Sequence, residues 1–313
     1  MTTVATAEVT PVNHGGANNA IELVGLTKSY GRKLAVDHLS LNIPSGTVFG
    51  LVGPNGAGKS TTIKMLMGML SITSGTARVL GHDVASEPSA ARRRIGYVPE
   101  VNTMYRWMRI DELIGFVKPF YETWDDALCS RMLGSFQLEA RKKVKHLSKG
   151  MLGKLALVVA LAHSPDLLVL DEPMSGIDPV TRDEFLDELA LTLRERQCTA
   201  LLSSHTLADV QRLAGEVGIL FEGRLLDHCG IAGLLSSTKR VHAVLRDGCV
   251  PRKVPDGTIW QSLKERDWYL TIREFSDQAL QELRSDNLVE VLDVQDLNLE
   301  DVFKDLIKGR RQP

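Results

Sequence analysis

The chain has 313 residues, 43% of them hydrophobic and 24% charged, with a formal net charge of −2. That length sustains one large domain with a smaller companion, and so small a net charge excludes a bulk electrostatic grip on nucleic acid or an anionic bilayer. No apolar run approaches the ~20 residues a membrane-spanning helix needs, and the scattered Cys129, Cys198, Cys229 and Cys249 form neither a zinc pattern nor a disulfide framework.

The first twenty residues, rich in Thr, Gly, Asn and Ala, lack the layout of a secretory leader and read as a disordered arm. From Ile21 to Ile43, short alternating bursts around a Tyr30-Gly31 turn predict antiparallel strands. TVFGLVG (47–53) is a buried strand, followed by a glycine-rich loop and a helical stretch over 59–70; RRIGYVP (93–99) is a strand that Pro99 ends. Between Ile110 and Ala162, residues such as Leu113, Phe116, Val117, Leu128 and Met132 recur at helical spacing. LLVLDEP (167–173) and TALLSSH (199–205) are apolar strands suited to a parallel sheet. Between them, 180–196 reads as a helix with an acidic first turn and a basic last turn. Strand–helix alternation of this kind predicts an α/β core. Beyond about 235 the chain predicts four short strands and two helices, the last opening on an Asn cap, which together make a small α+β appendage over 236–313.

GPNGAGKST (53–61) has the spacing G-x-x-x-x-G-K-[ST] between a strand and a helix. Gly53, Gly56 and Gly58 let the loop of Gly53, Pro54, Asn55, Gly56, Ala57, Gly58, Lys59, Ser60 and Thr61 turn tightly and aim N–H groups at phosphates. Lys59 is placed for the β- and γ-phosphates of ATP, and the Ser60 hydroxyl for Mg²⁺. Asp171 and Glu172 end an apolar strand; the first is placed to hold Mg²⁺ and the second to polarise water, against the plainer reading of a solvated or capping pair. A second phosphate-like loop, KHLSKGMLGK (145–154), opens a helix with Lys145, Lys149, Lys154 and His146 around Ser148 and Gly150.

In order, SYG (29–31), the P-loop, GYVPE (96–100), LSKGM (147–151), LVLDEP (168–173), SGID (175–178) and SSH (203–205) give the chain a resemblance, over about 21–230, to the ATP-binding subunit of ABC transporters, with the cassette expected at 21–235. The resemblance implies a P-loop NTPase of ABC type, with a RecA-like parallel sheet core, an antiparallel β subdomain and an α-helical subdomain at about 101–162. It assigns Tyr30 to stacking on adenine, a buried turn-flanking tyrosine being the other reading, and His205 to the γ-phosphate. It makes Ser148, Lys149 and Gly150 a lid on ATP bound by a second cassette, and places Asp178 at the dimer interface. The partners implied are that second cassette and a multispanning membrane permease, with the chain on the inner face of the cell membrane and no nucleic acid.

Two positions depart from the family pattern. Glu100 stands where Gln is usual and remains a competent Mg²⁺ ligand. Lys149 and Met151 stand where Gly and Gln are commoner; Lys149 either faces the γ-phosphate or points to water. The single cassette, the WDDAL stretch (124–128) and the closing LEDVFKDL resemble bacterial ABC-2-type exporter subunits. The competing class is a soluble ABC-type ATPase acting on nucleic acid or the ribosome; the lack of sustained heptads between P-loop and LSKGM, and of a second cassette, weighs against it. A third reading makes the appendage, with Trp260, Trp268 and Tyr269, a ligand sensor.

Overall fold

The structure, a computed structural model, describes residues 19–247, 249, 251, 254–285 and 288–311. β1 (Asn19–Tyr30) and β2 (Lys33–Pro44) form a long hairpin. Of the arm expected over the first twenty residues, 1–18 lie outside the described residues, and the last two belong to β1: Asn19 pairs with Pro44, and Ala20 is buried. β3 (Val48–Val52) leads through the glycine loop into α1 (Lys59–Leu66), which stops short of the expected end as Gly68 turns left-handed at φ +61. β4 (Ser74–Val79), β5 (His82–Asp83) and α2 (Pro88–Arg92) follow, none of them expected from the sequence. Next come β6 (Ile95–Val98), α3 (Ile110–Val117), α4 (Asp126–Ser135), α5 (Lys149–Ala162), β7 (Leu167–Asp171), α6 (Pro179–Arg196), β8 (Thr199–Ser204), α7 (Leu207–Leu213), β9 (Glu216–Phe221) and β10 (Arg224–Gly230).

One sheet has the order β2-β1-β4-β5 and the other β10-β9-β3-β8-β7-β6, in which β9, β3, β8, β7 and β6 run parallel. The two share an apolar core that includes Phe49, Ile63, Leu23, Ile43 and Val169. The spacing of the P-loop and LLVLDEP strands allows them to be neighbours in one sheet; they share a sheet in the structure, with β8 between them, because the crossover through α6 returns the chain to the β3 side of β7. α6 also corrects its expected charge pattern. No acidic residue occupies its first turn; Asp178 caps it instead, its carboxylate accepting the Thr181 N–H at 3.0 Å, while Arg194 and Arg196 fill the last turn.

α3, α4 and α5 form the expected helical segment. Ser148 caps α5, its hydroxyl oxygen accepting the Met151 N–H at 3.2 Å. At the other end His163 is 2% exposed, with the Tyr121 ring stacked on it at 3.9 Å. Burial pushes its imidazole down from 6.5 to about 4. The unfolded chain therefore takes up a proton that the folded chain refuses, so stability present above 6.5 is lost as pH falls toward about 4. By pH 5 the loss is about 2 kcal/mol. Urea titrations at pH 7.5 and pH 5 are expected to show this difference in wild type and to lose it in His163→Phe, which keeps the ring stack; an equal pH slope in both proteins would exclude His163 as its source.

The compact units divide between His228 and Cys229. The second holds α8 (Ile231–Ser237), β11 (Lys239–Leu245), β12 (Thr258–Lys264), β13 (Asp267–Ile272), α9 (Asp277–Ser285), β14 (Val289–Asp296) and α10 (Leu299–Arg311). Its antiparallel sheet, ordered β12-β13-β11-β14, buries Val241, Ala243, Trp268, Leu270 and Ile272 on one face. On α10, the buried Asp305 takes the Arg240 guanidinium and the Thr271 hydroxyl, and Asn298 caps the helix by accepting the Asp301 N–H at 2.9 Å.

Candidate active site

The chemistry-bearing segments meet at the carboxyl ends of β3, β8 and β7, where α/β sheets habitually place ligands. β3 delivers the loop from Gly53 to Thr61. A side chain at Gly53 would put its Cβ 2.2 Å from the Leu220 carbonyl, and one at Gly58, which has φ +108, would sit 2.5 Å from the Ala35 carbonyl. Only glycine fits either place, and the loop therefore ends flush against the start of α1.

Lys59 is 5% exposed, and its ammonium donates to the Gly53 carbonyl at 2.7 Å and lies 3.1 Å from Glu172 Oε1. The other Glu172 oxygen accepts from His205 Nδ1 at 2.7 Å. A carboxylate is acceptor only, so Nδ1 carries the proton of this hydrogen bond. Ser60 Oγ donates to Asp171 Oδ1 at 2.9 Å. Lys59, Ser60, Glu172 and His205, with Tyr30, Lys33, Ala35, Asn55, Gly56, Ala57, Gly58, Thr61, Glu100 and Ser175, line a cavity of about 570 Å³, a volume suited to a nucleotide; Asp171, 2% exposed, sits behind Ser60 and is not among the lining residues. A helix N-terminus and an ammonium at the cavity floor suit phosphate; the paired oxygens of Ser60 and Asp171, with the Glu100 carboxylate in the cavity wall, suit Mg²⁺.

Tyr30 is 53% exposed at the cavity mouth, not buried, with the Lys28 ammonium 5.3 Å above its ring. Gly53 and Pro54 contribute carbonyls to Lys59 and do not line the cavity. Ser148, Lys149 and Gly150 are not among its lining residues either. Ser148 and Lys149 are exposed, with the Lys149 ammonium laid against Gly176, where an added Cβ would meet it at 2.8 Å. A Cβ on the buried Gly150 would come 2.6 Å from Thr181 Cγ2. Lys154, part of the basic loop in sequence, turns inward and pairs with Glu184. Asp178 is exposed beside this loop, its carboxyl held below the usual range by the Thr181 N–H. Sequence reasoning missed Lys33 and Ala35 in the cavity wall, which belong to no motif, and gave no role to Ser175, also in the wall, or to Ser203 behind it, although SGID and SSH contain them.

A phosphate loop, an acidic strand end and a histidine at three adjacent strand ends define a P-loop nucleotide hydrolase. Residues 36–175 match the ABC transporter family. The chain is 37% identical over 214 residues to the bacitracin transport ATP-binding protein BcrA of Bacillus licheniformis, spanning 66% of this chain and 68% of that one. It is 38% identical over 224 residues to the daunorubicin/doxorubicin resistance ATP-binding protein DrrA of Streptomyces peucetius, spanning 70% and 67%. A solved ATP-binding subunit of an ABC transporter superposes with a TM-score of 0.61 at 28% identity, covering 68% of this chain and 90% of that one. The chain belongs to the ABC transporter family: it is an ATP-binding subunit, an ATPase.

Proposed function

We propose that this chain powers an exporter by closing with a second copy over two MgATP molecules, each held by Lys59 of one copy and capped by Ser148 and Gly150 of the other. The observation that carries this reading is that the Ser148–Gly150 loop is displayed away from its own chain's nucleotide cavity. A phosphate-binding loop with no phosphate of its own fits one supplied by a partner. The loop has the chemistry for this. The Ser148 oxygen is occupied by the α5 cap but its proton is free to donate, and Gly150, though buried against Thr181 in the single chain, lies in the first turn of α5, where N–H groups have no intrahelical carbonyl. Two such half-sites on one surface make the contact self-complementary under two-fold symmetry, with Asp178 at the seam.

Within the site Lys59 takes the β- and γ-phosphates, and Ser60, Asp171 and Glu100 supply oxygens to Mg²⁺. When bound, the ion neutralises phosphate charge. Among the described residues no cluster of three or more His, Cys, Asp or Glu could hold a metal ion, so Mg²⁺ would be brought to these oxygens with the nucleotide. Glu172 orients and deprotonates the attacking water, and His205 holds that carboxylate and faces the γ-phosphate. Tyr30 stacks on the base.

Among the described residues no helix is long and apolar enough to cross a membrane, so the proposed export path belongs to a separate multispanning permease and the chain docks on its inner face. A run of exposed rings beside α3 supports this: Trp107 is 66% exposed and Phe120 71%, with Tyr105 and Phe116 between them at centroid distances of 5.4 to 6.1 Å. Contiguous exposed aromatics mark an interaction surface. Trp107→Ser with Phe120→Ser is expected to cut recovery of the chain with membranes about tenfold while ATPase activity in solution stays at the wild-type level. Wild-type membrane recovery of this variant would move the docking surface elsewhere; purification of the wild-type chain with ribosomes or DNA and no membrane protein would overturn the exporter reading.

A further inference from the structure

We propose that Ser203 is a positioning residue for hydrolysis, a single hydroxyl that holds both acidic residues of the site in register. It deepens the reading above and rests on Asp171 and Glu172 acting as described there. Ser203 is fully buried on β8 and is not among the cavity-lining residues. Because β8 runs between the P-loop strand and the acidic strand, Ser203 pairs with Leu51 on one side and Asp171 on the other.

Its hydroxyl proton goes to Asp171 Oδ1 at 2.8 Å, and its oxygen accepts the Glu172 N–H at 3.0 Å. The donor and an acceptor direction of one hydroxyl thus each serve a different acidic residue. Both contacts constrain a conformation the site needs. Glu172 has φ 47, a left-handed backbone uncommon for a side-chain-bearing residue. Its N–H is fixed there by the Ser203 hydroxyl together with the Ser203 carbonyl at 3.2 Å. That backbone sets where the Glu172 carboxylate meets His205 Nδ1 and Lys59. Asp171 Oδ1 receives two hydroxyls, Ser203 from behind and Ser60 from the cavity. Of these only Ser203 has no nucleotide-facing duty, so it alone can hold the carboxylate while Ser60 turns to Mg²⁺. Outer-shell partners of this kind typically change metal affinity or activity by about 10- to 100-fold.

The test compares the full-length wild type with Ser203→Ala and Ser203→Thr. Binding of a fluorescent ATP analogue is measured in EDTA and in Mg²⁺, alongside kcat, KM and melting temperature. Ser203→Ala is expected to bind the analogue in EDTA like wild type and to lose most of the affinity that Mg²⁺ adds. It should need about tenfold more Mg²⁺ for half-maximal activity and lower kcat about 10- to 100-fold. Ser203→Thr keeps the hydroxyl and should recover toward wild type; if its added methyl prevents folding, Ser203→Cys, a weaker donor of similar shape, should fall between. Wild-type Mg²⁺ dependence and kcat in Ser203→Ala would overturn the proposal. So would equal weakening with and without Mg²⁺, accompanied by a lowered melting temperature, which is the mark of a packing role. Glu172→Gln separates this from its parent: that variant turning over normally would remove Glu172 from the chemistry, whereas an inactive Glu172→Gln beside a normal Ser203→Ala would refute positioning alone.

Discussion

Glu172→Gln is expected to bind MgATP at least as tightly as wild type, to hydrolyse it at least ~100-fold more slowly, and to accumulate as an ATP-bound dimer. The three outcomes have one source. In the structure the Glu172 carboxylate is shared between two groups, Oε1 beside the Lys59 ammonium at 3.1 Å and Oε2 on His205 Nδ1 at 2.7 Å. For ATP to bind, Lys59 must exchange a buried carboxylate for phosphate. A neutral amide at 172 lowers the charge Lys59 leaves behind and removes a negative group from beside the triphosphate, so binding does not suffer. The amide has no basic oxygen for a water proton, and a loss of ~100-fold corresponds to about 2.7 kcal/mol of barrier. With γ-phosphate intact, the proposed tie across the seam is not cut. Sedimentation with ATP should show a dimer at concentrations where the wild type with ADP is monomeric. A monomeric, ATP-loaded Glu172→Gln protein would break the link between γ-phosphate and assembly; wild-type turnover would remove Glu172 from catalysis.

Why was so much of this legible in the chain? The P-loop is written in local terms: each glycine answers a steric demand of its own few residues, as the 2.2 Å approach of a Gly53 Cβ to the Leu220 carbonyl illustrates. The buried strands β3, β7 and β8 announce themselves because a sheet covered on both faces takes mostly apolar side chains, the polar ones falling at the strand ends. What periodicity does not carry is order across the sheet. Ser203 reads as one of two serines before a histidine, and its role surfaces only once β8 is seen to separate β3 from β7. Lys154 fails in the opposite sense. Sequence sets it in a basic loop, yet it lies a turn inside α5 and its ammonium sits 5.4 Å above the centre of the Phe136 ring and pairs with Glu184; nothing local distinguishes an inward lysine from an outward one. Asp178 carries two readings at once, a helix cap that the geometry accounts for in full and an interface residue that needs a second chain.

Two inactive variants are expected to restore each other. Lys59→Met removes the phosphate-binding ammonium and keeps the buried stem; Ser148→Arg places a bulky side chain on an exposed lid at the expense of the α5 cap, worth about 1 kcal/mol. Alone, each should hydrolyse ATP at no more than a few per cent of the wild-type rate, since every site in either homodimer lacks one half. In an equal mixture about half the dimers are mixed, and in each of these one site combines an intact Lys59 with an intact Ser148 from the other chain while its twin carries both defects. About a quarter of wild-type sites are thereby recovered. The recovery should fall on dilution, as the dimer dissociates, and vanish when the variants are combined on one chain and mixed with Lys59→Met. The experiment reads out a geometry that a single chain cannot display: Ser148 is exposed and lies outside the lining of its own nucleotide cavity, so, the α5 cap aside, its loss would reach hydrolysis through a neighbour. Were the mixture as inactive as its parts while a tag on one variant retrieved the other in ATP, Ser148 would not contribute to the partner's site.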